Sequence, residues 1–219
     1  MIELSTVQKI AVWILPVLFA ITIHEAAHAW MASRLGDTTA KMLGRLSFNP
    51  IKHIDLMGTI LVPIMVLILS KFSFVFGWAK PVPINSANFS KPRRDLALAT
   101  AAGPISNLLM ALLWAICLKL GSMNNPNASF LALFMVLSGQ AGVIINLLLA
   151  YLNPLPIPPL DGSRILASIL PIRQAMQYQK IEPYGFFILI LLLLTGVLGW
   201  LIRPLMSSSI AGLYWLFNL

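Results

Sequence analysis

The chain has 219 residues, 58% of them hydrophobic and 10% charged, with a mean hydropathy of +0.85. Ordinary globular chains carry roughly 25% charged residues, so there is too little polar surface here to coat a water-soluble particle. The net charge of +8 comes from basic residues in short loops between apolar runs, without a basic helix or aromatic-interleaved patch, which argues for membrane topology and against a nucleic-acid partner.

Apolar runs lie at about 8–33, 56–70, 96–118, 130–152 and 184–202. A bilayer-spanning helix needs about 20 apolar residues, so all but 56–70 qualify. The first run is too long for a signal-peptide core and its flank is weakly charged, with Glu3 against Lys9, so it reads as a retained span. Run 56–70 is short and holds Gly58 and Pro63; a broken, tilted or re-entrant segment is expected there. Basic residues mark loop 34–55 (Arg34, Lys41, Arg45, Lys52), loop 71–94 (Lys71, Lys80, Lys91, Arg93, Arg94) and region 162–183 (Arg164, Arg173, Lys180), whereas loop 121–129 has no charge. The positive-inside rule then puts the first helix outside-to-inside, with 56–70 returning to the side it left, helped by the aromatic stretch "FSFVFGW" at 72–78. Residues 205–219 are apolar but short and are expected at the interface, with Tyr214 and Trp215 at headgroup level. Cys117, inside an apolar run, reads as a packing residue. The expectation is one all-α polytopic membrane domain over 1–219, multi-pass, with lipid as its main partner.

The most polar cluster of the first run is "HEAAH". It places His24 and His28 at i and i+4, on one helix face, with Glu25 between them. Two imidazoles at that spacing can hold one zinc ion, and a carboxylate on the next residue can reach a water on that ion. Ionisable groups at membrane depth are costly and mark function. A catalytic zinc needs a third protein ligand. The candidates are Asp161, His53, Asp55, Asp37, Asp95, Glu3 and Glu182. Asp161 ends "LNPLPIPPLDG" (152–162), where four prolines forbid a helix and favour an extended chain, and irregular backbone at membrane depth survives only against protein or a wet cavity. Such a loop can bring Asp161 to the histidines with Asn153 nearby; equally, Asp161 can cap the helix that follows. His53, next to Lys52 and Asp55, reads as a structural interfacial histidine. The segment "WAKPVPIN" (78–85) suggests an edge strand able to pair with an extended substrate.

Three elements in order, "HEAAH", "GPISN" at 103–107 and "NPLPIPPLDG" at 153–162, resemble the site-2 protease family of intramembrane zinc metalloproteases, and "FGWAKPVP" (76–83) is similar to its compact bacterial branch. The resemblance covers about residues 15 to 170. It implies a helical core with a broken or re-entrant segment and an extended proline-rich loop. It implies that His24, His28 and Asp161 bind one Zn²⁺, that Glu25 is the general base, and that Asn153 orients substrate or steadies the oxyanion. Asn107 and Gly103 would have a structural or substrate-facing role. The implied reaction is hydrolysis of membrane-spanning or membrane-associated protein substrates near the cytoplasmic face of a bacterial cytoplasmic membrane. The chain departs from many relatives in having neither a PDZ nor a nucleotide-sensing module. Competing readings are a metalloprotease with Glu3 or Glu182 as third ligand, a pseudoprotease, and a non-catalytic metal-binding protein or metal transporter. No catalytic residue is missing, and transporters distribute polar groups over symmetric halves, which this chain does not do.

Overall fold

In the computed structural model, which describes residues 5–69, 77–124, 126 and 129–219, Ser5 opens the first helix with a reciprocal cap. Its hydroxyl accepts from the Gln8 N–H at 3.3 Å, and the Gln8 side chain accepts from the Ser5 N–H at 2.9 Å. Helix α1 then runs Thr6–Arg34, 29 residues. At 1.5 Å per residue it is about 43 Å long, enough to cross a hydrocarbon core of about 30 Å. A short helix α2 (Thr39–Met42) follows, then a single 3₁₀ turn, Pro50–His53. Next comes a π-helical turn, Leu56–Leu61, that passes into helix α3, Val62–Leu69. Asp55 holds the start of that turn by accepting from the Gly58 N–H at 2.7 Å. How segment 56–70 returns, and residues 72–76 of the aromatic stretch, lie outside the described residues.

Helix α4 spans Pro92–Met123 and α5 spans Phe130–Leu152. They pack closely because a Cβ on Gly139 would come within 2.8 Å of the Leu118 backbone, and one on Gly142 would collide with the Trp114 ring. Ala111, Trp114, Ala115, Val143 and Leu147 form the core between the two helices. With Val7–Arg34 of α1, these are the three helices long and apolar enough to cross a membrane, among the described residues. Together they make an all-helical membrane protein.

After the proline loop come α6 (Asp161–Ile169), α7 (Ile172–Gln179), α8 (Glu182–Leu194) and α9 (Val197–Phe217). The run 184–202, expected as a span, is divided between α8 and α9, a pair long and apolar enough together to cross a membrane but bent by 72°. The break is Gly196, at φ +77°, a left-handed conformation that ends a helix. The tail 205–219 lies largely in α9, where Leu213 reaches the α4–α5 core while Tyr214 and Trp215 stay exposed. Among the described residues there is no β-strand.

Candidate metal centre

His24 and His28 lie on the inner face of α1, 7% and 5% exposed. Their facing helix is α4. There Gly103 leaves the room: a Cβ on it would stand 2.7 Å from His24 Cε1 and closer still to His28 Nε2 and Cε1. The outer ring nitrogen of each histidine meets an acceptor. His24 Nδ1 lies 2.5 Å from Asn107 Oδ1, and His28 Nδ1 lies 2.9 Å from the Ala99 carbonyl oxygen. In neutral imidazoles both Nδ1 atoms therefore carry the proton, and both Nε2 lone pairs point inward.

Asp161 arrives from the other side. The proline loop is irregular, as its prolines require, but it curls through successive turns rather than running out extended. The Leu155, Ile157 and Leu160 N–H groups each bond a carbonyl two or three residues back, and the Gly162 N–H closes on the Asn153 carbonyl at 2.7 Å. The N-cap of α6 is Leu160 and its cap uses no side chain, so the Asp161 carboxylate is not spent on the helix start. Its Oδ2 lies 3.1 Å from His24 Nε2 and 3.2 Å from His28 Nε2, and the two Nε2 atoms are 3.0 Å apart. Three acceptor atoms thus converge on one point. Without a cation between them they repel. Ligands on a tetrahedral zinc, with bonds of roughly 2.0–2.2 Å, stand about 3.3 Å apart, so this triangle suits such an ion. His24, His28 and Asp161 are the group of metal-capable side chains found among the described residues.

Glu25 is half-buried beside them, and its Oε2 accepts from the Val82 N–H at 2.8 Å. A cavity of about 640 Å³ is bounded by His24, Glu25, His28, Asn153 and Asp161. Asn153 stands in its wall, but its amide nitrogen donates to the Leu149 carbonyl at 3.1 Å, within its own helix.

Residues 77–85 form the opposite rim. Every second amide turns inward, as in a strand. Trp78 donates to the Gly58 carbonyl at 2.9 Å, Lys80 to the His53 carbonyl at 3.0 Å, and Val82 to Glu25. The Trp78 carbonyl accepts from the Thr59 hydroxyl at 2.8 Å and the Lys80 carbonyl from Arg45 at 2.9 Å. Trp78, Lys80 and Val82 are therefore tied to the protein. Arg45 also reaches the Pro81 carbonyl, at 3.4 Å. Between the tethered Trp78 and Lys80, Ala79 lines the cavity and carries an N–H, which Pro81 and Pro83 lack.

The other candidate ligands have structural work elsewhere. Asp37, fully buried, accepts from the Asn85 N–H at 2.7 Å, the Asn88 amide at 2.8 Å and both donors of Thr39, tying the 77–88 segment to the end of α1. Burial pushes its carboxyl up, but these donors outweigh it and hold the group below the usual carboxylate range. Asp55 holds the Gly58 N–H, Asp95 accepts from the Lys91 N–H at 2.8 Å, and His53 is buried with Nε2 2.9 Å from the Ser47 carbonyl oxygen. Glu182 lines the cavity from α8 without joining the cluster. Glu3 lies outside the described residues. Sequence reasoning missed the contact of Asn107 with His24 and overlooked Asn146 behind it, whose only signal was an amide in the apolar run "VIINLLLA".

The profile of Peptidase family M50 matches residues 12–196. The chain belongs to that family, the site-2 proteases. It is similar to "Putative zinc metalloprotease YwhC" of Bacillus subtilis, 36% identical over 208 residues that cover 94% of this chain and 90% of that one. It is also similar to "Putative zinc metalloprotease Rip2" of Mycolicibacterium smegmatis, 28% identical over 83% of this chain and 66% of that one. The protein of the same name from Mycobacterium tuberculosis is 28% identical over 97% of this chain and 74% of its own. No solved structure matches. Zinc is the metal of this M50 chain, and the convergent His-His-Asp acceptors suit it.

Proposed function

We propose that this chain is an intramembrane zinc endopeptidase, a single domain over 1–219, with His24, His28 and Asp161 as metal ligands and Glu25 as general base. The observation that carries this reading is the convergence of three acceptor atoms at 3.0–3.2 Å, with the Glu25 carboxylate on the same cavity. Zinc bound there supplies a more acidic water and a polarised substrate carbonyl. Glu25 takes the proton from the attacking water and returns it to the departing amine. The Val82 N–H, 2.8 Å away, holds its carboxylate in place until then. Asn153, once its amide turns from Leu149, is placed to steady substrate or oxyanion from the cavity wall.

The substrate is a membrane-spanning or membrane-associated protein whose chain is locally unwound and laid along residues 77–84 where they line the cavity. Cleavage falls near the cytoplasmic face of a multi-pass protein in the bacterial cytoplasmic membrane. Arg34 closes α1 ten residues beyond His24, about 15 Å along the axis at 1.5 Å per residue, and the basic loops gather at that end, which supports this depth. The test is Glu25→Gln in detergent-solubilised protein, with zinc content and cleavage of a membrane-spanning peptide measured together. Retained zinc with abolished cleavage is expected. Retained cleavage overturns the assignment of the base; loss of zinc from the wild type overturns the metal centre.

A further inference from the structure

Two buried asparagines stand behind His24, on two different helices, and form one chain of amides. Asn107 on α4 and Asn146 on α5 are both fully buried. The Asn146 nitrogen donates to the Gly142 backbone carbonyl at 2.8 Å, which leaves its oxygen facing Asn107. The Asn107 nitrogen donates to that oxygen at 2.9 Å and lies 3.2 Å from the Ala20 backbone carbonyl oxygen. Two backbone carbonyls, Gly142 and Ala20, can only accept, so each end of the chain is pinned in the same sense. The Asn107 oxygen is then forced towards His24 Nδ1, at 2.5 Å.

We propose that Asn107 and Asn146 form a positioning relay that fixes His24 as its Nδ1–H tautomer and thereby aims Nε2 at the metal. The proposal rests on the reading of His24 as a ligand. His28 is treated differently: a backbone carbonyl, Ala99, does the same for it at 2.9 Å. The two ligands thus differ in how their orientation is encoded. His28 depends on helix position alone, whereas His24 depends on two side chains that mutation can remove. A neutral imidazole held with the wrong nitrogen protonated presents N–H rather than a lone pair to the ion. Partners of this kind are typically worth about 10–100-fold in metal affinity.

Asparagines between membrane helices also serve as interhelical glue, and the test separates the two roles. Asn107→Leu removes both glue and orientation. Asn107→Asp keeps an acceptor at His24 Nδ1 but sets a carboxylate oxygen against the Ala20 carbonyl and Asn146, so it loses the glue and keeps the orientation. The full-length chain in detergent is measured in three ways: zinc affinity by chelator competition, histidine ring ¹⁵N shifts in the metal-stripped protein, and thermal unfolding. The relay predicts that Asn107→Leu loses about 10–100-fold in zinc affinity and shows a second His24 tautomer. Asn146→Leu should fall at the low end of that range. Asn107→Asp should stay within a few-fold of wild type, with Nδ1 still protonated, although it melts earlier. If Asn107→Asp loses zinc as fully as Asn107→Leu, or Asn107→Leu binds zinc like wild type, the relay is wrong. A wild type that binds no zinc, or His24→Ala that keeps it, overturns the metal centre itself and is distinguishable from either.

Discussion

Gly103→Ala adds one methyl group to the helix face that the two histidines pack against. On its own helix the change is favourable, since alanine is preferred to glycine in a helix interior by about 0.5–1 kcal/mol. At the site it is not. The new Cβ would stand 2.7 Å from His24 Cε1 and closer to His28, where carbon atoms rest at about 3.5–4.0 Å. The rings must retreat by about 1 Å. They have nowhere to go without opening a ligand triangle whose edges are 3.0–3.2 Å, or breaking the 2.9 Å bond from His28 to Ala99. A misplacement of about 1 Å can cost about 100-fold in rate, and overpacking costs about 1–3 kcal/mol, much of it offset by the helix gain. The expected outcome is a folded protein with a melting temperature near that of wild type, zinc affinity reduced at least tenfold, and cleavage reduced about 100-fold. Cleavage of a membrane-spanning peptide, zinc titration and thermal unfolding on one preparation decide it. A Gly103→Ala protein that binds zinc and cleaves like wild type would refute the argument that this glycine exists to admit the imidazoles.

Ala79→Pro removes an N–H donor from a residue that lines the cavity, so zinc content should hold while cleavage falls; unchanged turnover would count against strand-like substrate addition there. His53→Gln keeps a donor for the Ser47 carbonyl and should leave zinc stoichiometry unaltered, since His53 lies apart from the cluster. Asp37 has its carboxyl held below the ordinary carboxylate value, against burial, by its four donors. Its contribution to stability is therefore fully present above its unfolded pKa of about 3.9 and is lost as pH falls through the lower folded value. The melting difference between wild type and Asp37→Ala should be constant above about pH 5 and shrink below pH 4. A gap that widens on acidification would refute the sign.

How much of this was legible beforehand differs from element to element. "HEAAH" fixed the helix face and the i, i+4 register by itself, because α-helical geometry is local. The membrane class followed from composition, because a helix that crosses lipid must be long and apolar. The divided run 184–202 was not legible, since a glycine inside apolar sequence carries no sign of a left-handed turn until the chain around it is placed. The alternation along 78–85 suggested a strand, but which edge is occupied depends on Gly58, His53 and Glu25, residues up to 57 positions away.

The third ligand marks the boundary most clearly. From residue chemistry alone seven groups competed, with Asp161 set apart by its proline loop, and family resemblance then singled it out. The folded chain gives a physical reason. Asp55 and Asp95 satisfy backbone donors in their own neighbourhoods, Asp37 is taken up by Thr39, Asn85 and Asn88, His53 faces a carbonyl, and Asp161 alone among the described candidates meets His24 across 137 positions of sequence. Sequence determined which side chains could ligate and on what helix two of them sit. Tertiary structure decided the third, the amides that orient the first, and the glycine that makes room for both, because each of these is a contact between helices and not a property of any one of them.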